Sequence, residues 1–158
     1  MGTEEGKMGV SRRGFFRTAG AVGLGAAAVS AMPSASWAAG DVMASIKEHM
    51  GSSDVMEGKV TLGSPDTAEN GSLVRVPIKV DHAMEPGNYI ETVGIFVDNN
   101  PAPFIGTFDF KPEVGLVEFE IRIKMAKTSP LRVIAKSNTG KLYAAVKKIN
   151  VAEGGCAG

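Results

Sequence analysis

The chain has 158 residues, seventeen acidic and seventeen basic side chains, two histidines and one cysteine. That length suits one domain and leaves little for a second. The even charge balance gives no reason to expect a nucleic-acid or anionic-membrane partner.

The first segment is organised for export. Ser11-Arg12-Arg13-Gly14-Phe15-Phe16 sets paired arginines before two aromatic residues, and Arg17 adds a further charge. An uncharged Gly- and Ala-rich run follows from Ala19 to Ala31, Pro33 breaks it, and Ser36-Trp37-Ala38 offers small residues where a signal peptidase reads. A basic region, an apolar region and a cleavage site in that order predict a signal peptide over residues 1–38. The paired Arg12 and Arg13 and the modest hydrophobicity select the twin-arginine route, and so the periplasm. The run is too short and too weakly apolar for a comfortable transmembrane helix, so no stable membrane insertion is expected after cleavage. The twin-arginine route carries folded proteins. No cofactor site is recognisable in the remainder, so pre-assembly with a partner that lacks its own signal is the expected reason for using it.

Residues 39–151 read as one domain. Val42, Met43, Ile46 and Met50 recur at helical spacing, with Asp41 as the cap and Gly51 as the exit, predicting one short helix. From Lys59 the apolar period changes to two. Strands are expected at Val60 to Leu62, Leu73 to Val80, Ile90 to Val97, Phe104 to Phe110, Val117 to Lys124, Leu131 to Ala135 and Leu142 to Val151. Pro77 marks its strand as an edge or a bulge. Seven short strands separated by turn residues predict an all-β, immunoglobulin-like antiparallel sandwich with one N-terminal helix. With a single cysteine in the chain, packing alone must hold it.

Residues 152–158, Ala152-Glu153-Gly154-Gly155-Cys156-Ala157-Gly158, contain nothing able to bury an apolar face. A mobile arm is expected, its Gly154, Gly155, Ala157 and Gly158 keeping it thin and flexible around Cys156. A lone thiol in an exported protein admits three readings: an incidental cysteine, an intermolecular structural disulfide, or a covalent attachment site. Glu153 is an acidic neighbour that disfavours the thiolate, and no cation or base stands nearby in sequence. Activation is therefore expected from partner enzymes, which makes the chain a carrier and not a catalyst.

The terminal Gly154-Gly155-Cys156-Ala157-Gly158 resembles the Gly-Gly-Cys-Gly-Gly end of the SoxY family, carriers of the bacterial thiosulfate-oxidising Sox pathway. The similarity extends through Asp98-Asn99-Asn100-Pro101-Ala102-Pro103 and Ser137-Asn138-Thr139-Gly140-Lys141-Leu142-Tyr143, with Ala157 in place of a glycine. The resemblance implies an immunoglobulin-like sandwich paired with a SoxZ-type subunit as a heterodimer. It implies that a haem-containing cytochrome conjugates thiosulfate to Cys156, that a hydrolase releases sulfate, and that a sulfur dehydrogenase acts in the same system. It implies no cofactor bound by the carrier itself.

Other features carry less. His49 and His82, with Cys156 and the methionines, invite a copper site, but the ligands expected just after such a cysteine are missing, and no zinc spacing is present. Both histidines read as surface or helix-end residues. The Asp98 to Phe104 loop reads as an ordinary turn or as part of a partner-docking surface.

Overall fold

A computed structural model of the chain describes residues 41–155. The leader with Arg12 and Arg13, and the arm residues Cys156, Ala157 and Gly158, lie outside the described residues.

Helix α1 spans Val42–Met50. The Asp41 carboxylate caps it, accepting from the Met43 N–H at 2.9 Å and the Ala44 N–H at 3.3 Å. Gly51 ends it in the left-handed region, φ 82°, donating its N–H to the Lys47 carbonyl. Ile46 and Met50 turn inward onto Phe96, Ile134, Leu142 and Ala144. Gly94 is what lets the helix come so close, because a Cβ there would stand 2.6 Å from the Met50 sulfur.

Nine strands follow: β1 (Met56–Glu57), β2 (Val60–Leu62), β3 (Thr67–Asn70), β4 (Val74–Val80), β5 (Ile90–Val97), β6 (Phe104–Asp109), β7 (Val117–Ile123), β8 (Ser129–Ser137) and β9 (Leu142–Glu153). The larger sheet runs β1-β9-β8-β5-β6, with β3 also paired to β9, and the smaller runs β2-β4-β7. The pairings of β1 and β3 with β9 are parallel and the others antiparallel. Between the sheets lies one apolar cluster drawn from both, including Val76, Ile78 and Val80 of β4, Val93, Ile95 and Val97 of β5, and Leu131, Val133 and Ile149. The fold is thus the expected sandwich with one short helix.

The sequence reading missed two strands, β1 and β3. Each is at most four residues long and largely exposed, so neither has an apolar period to detect. Pro77 lies in the middle strand of its sheet, not at an edge. Its carbonyl accepts from Gly63, so its missing donor faces β2 just past Leu62, where that partner strand ends. In β5 the register shifts between Ile90 and Thr92, which is how Ile90 and Val93 both reach the interior despite their odd spacing.

Candidate functional site

Strand β9 delivers the C-terminal segment to one end of the sandwich, where backbone hydrogen bonds and the Thr128 hydroxyl hold it. Along its last residues β9 pairs with β3, Thr67 opposite Asn150 and Asn70 opposite Glu153. The Val151 N–H donates to the Thr128 hydroxyl at 2.9 Å. Gly71 then bridges the two sheets: its N–H donates to the Glu153 carbonyl at 2.7 Å, and its carbonyl accepts from the Met125 N–H at 2.7 Å. The Met125 carbonyl in turn accepts from the Gly155 N–H at 3.0 Å. The arm is therefore anchored one residue before Cys156.

This moves the boundary of the arm. The sequence reading opens it at Ala152, yet Ala152 and Glu153 belong to β9, and Gly155 is buried. Gly154 and Gly155 serve a second purpose besides backbone freedom. A Cβ on Gly154 would collide with the Ala126 carbonyl oxygen, one on Gly155 with the Ser72 amide and the backbone of Gly71, and one on Gly71 would lie 2.7 Å from the Gly155 nitrogen. Glycine is required at these positions because two backbones meet there without room for a side chain.

The loop after β5 supports the anchor from behind. Arg132 donates to the Asp98 carboxylate from Nε to Oδ1 and from Nη2 to Oδ2, each at 2.8 Å, with Nε also 3.0 Å from Oδ2. The hydrogen bond to this carboxylate is the main cause of a raised pKa at Arg132, so the guanidinium stays charged. Asn99 donates to the Thr128 carbonyl, and its N–H donates to the Ser129 hydroxyl. Asn100, 3% exposed, donates from Nδ2 to the Lys124 carbonyl and accepts the Ala126 N–H at Oδ1, both at 2.9 Å. The loop read from sequence as a turn or a docking surface thus spends its amides on the Lys124–Ser129 connection. The groups holding the arm root are backbone amides, an asparagine and a threonine, and none of them titrates.

The profile of the family described as sulfur oxidation protein SoxY matches residues 46–156, from within α1 through the cysteine. The chain belongs to the SoxY family. The sulfur carrier protein SoxY from Chlorobium limicola f thiosulfatophilum has a similar structure, with a TM-score of 0.60 and 29% identity over 70% of this chain and 91% of that one. A superoxide reductase (neelaredoxin) from Ignicoccus hospitalis is 20% identical, with a TM-score of 0.53 over 60% of this chain and 80% of that one. That likeness is one of fold. No curated protein sequence matches the chain.

Against the SoxY family background the remaining sequence candidates separate. His49 ends α1 stacked on Phe104, ring centroids 3.6 Å apart, with Nδ1 on the Ser45 carbonyl. His82 contacts Tyr143 and the Ala83 carbonyl. Among the described residues no three His, Cys, Asp or Glu side chains gather where a metal ion could sit. Sequence reasoning missed Gly71, Met125, Ala126 and Thr128. Asn70-Gly71 is a turn-type dipeptide, but nothing local states that this turn meets residue 155.

Proposed function

We propose that this SoxY family protein is a periplasmic sulfur carrier that holds thiosulfate-derived intermediates covalently on Cys156 and presents them to partner enzymes, with no turnover of its own. The observation that carries the reading is the family match running through Cys156, one residue beyond the anchored Gly155. The similar protein from Chlorobium limicola is a sulfur carrier, which supports it further.

The chemistry balances with external partners. Joining the Cys156 thiol to the outer sulfur of thiosulfate forms one S–S bond, breaks the S–H bond, and releases one proton and two electrons. A cytochrome partner takes those electrons. Water then attacks the sulfonate sulfur. The S–S bond to it breaks, sulfate and two protons leave, and the bonding electrons stay on a Cys156 persulfide. A hydrolase serves this step and a sulfur dehydrogenase the further oxidation. A SoxZ-type subunit completes a heterodimer, and export follows the twin-arginine signal of Arg12 and Arg13. An arm held by backbone contacts up to Gly155 suits this role, since a thin terminus can enter a narrow channel.

Intact mass spectrometry tests the proposal. The processed protein, incubated with thiosulfate and its cytochrome partner, should gain a reducible thiosulfonate mass that Cys156→Ser abolishes while folding persists. A thiol that stays unmodified counts against carriage, and a Cys156-linked dimer that falls apart on substitution supports a structural disulfide instead.

A further inference from the structure

Asn100 makes two contacts that flank one residue. Its amide clasps the Lys124 carbonyl and the Ala126 N–H, and Met125 lies between them with its side chain fully buried in the core. The Met125 backbone is then left with two outward bonds, one from its N–H to Gly71 and one from the Gly155 N–H to its carbonyl. Nothing in the turn chemistry of Lys124 to Thr128 would impose that shape, since the segment contains neither glycine nor proline.

We propose that Asn100 is a positioning residue for the carrier arm: it presents the Met125 carbonyl to Gly155 and so gives the arm a short, seated state. This rests on Cys156 being the carrier residue. In the seated state the chain is held as far as Gly155, so Cys156 lies within one residue's reach, roughly 3.5 Å, of that anchor. When Gly155 and Glu153 let go, freedom extends back to Val151, still tied to Thr128, and the five residues from there to Cys156 span roughly 17 Å. Release gives up backbone bonds and regains the conformational freedom of two glycines, so the two states lie close in free energy. The seated state keeps Cys156 near the body, and the released state serves a partner with a deep channel. The buried Asn100 amide sets the balance between them.

The test uses a nitroxide attached to Cys156 through a disulfide, together with amide hydrogen exchange on the same protein. The wild-type label should show a slow-motion component. Asn100→Ala should remove most of it and speed exchange at Gly155 on the order of ten-fold, with core amides of β5 and β8 unchanged. Gly155→Ala attacks the same anchor from the arm side and should free the label equally. It carries the test if Asn100→Ala does not fold. Combining the two should add nothing to either. A wild-type spectrum and wild-type Gly155 exchange in the folded single variants overturn the proposal. So does acceleration spread equally through the core, which would mark a general loss of structure. The label needs only a thiol, so a protein that forms no thiosulfate adduct would defeat the carrier reading and leave this result standing.

Discussion

Val93, Ile95 and Val97 join the two sheets through side-chain volume, whereas Gly71, Gly154 and Gly155 join the arm to the body through the absence of it. In the interior, stability comes from many small apolar contacts that are made and lost together. At the arm root it comes from a few backbone bonds, each worth about 1 kcal/mol net, which can break one at a time. Dense apolar packing gives a permanent body. A junction built mainly of backbone bonds gives an attachment that can open without disturbing that body.

Three variants sharpen or break this contrast. Phe96→Ala should have the largest effect, about 3–5 kcal/mol by chemical denaturation. It empties the contact between α1 and β5, where Phe96 is fully buried beside Phe104. Asp98→Ala should cost about 2 kcal/mol, because it leaves the partly buried Arg132 guanidinium without its carboxylate and loosens the loop that carries Asn100. Arg132 is held above its ordinary range in the folded protein, so it cannot shed its charge at any pH where stability is measured. The loss should therefore be flat as pH rises from neutrality through the alkaline range in which the protein stays folded. Gly154→Ala should be smallest, within about 0.5 kcal/mol of wild type. Its new Cβ meets the Ala126 carbonyl, but the last residues can lift away without exposing the core. A global loss from Gly154→Ala as large as that from Phe96→Ala would end the distinction between the two regions.

Most of the body was legible in the sequence because its signals are local. Val117 to Ile123 alternates buried or half-buried with exposed residues throughout, and the Asp41 and Gly51 caps of α1 act on their immediate neighbours. The arm root was legible only in composition. Gly154 and Gly155 suggested freedom. Their other reason, a close approach to Gly71 and Ala126, depends on chain distant in sequence. Asn100 illustrates the same limit: on an exposed turn and in a buried clasp an asparagine looks alike, and only the fold brings Lys124 and Ala126 to it. The short polar strands β1 and β3 form because β9 offers them an edge, not because their residues prefer to be strands.

The parallel pairings of β9 have a consequence for the order of assembly. Met56 must find Tyr143, and Thr67 must find Asn150, across most of the domain's length. Such contacts require a large loop to close before they give anything back, so they form late. Until β9 is in place, β8 presents an open edge of buried-type residues such as Leu131, Val133 and Ile134, a template for unwanted pairing. The junction that seats Gly155 is assembled after that edge is closed. A seated arm is thus a sign that the fold is finished, because β8 is already covered along Leu142 to Ile149 by the time Glu153 docks against Asn70.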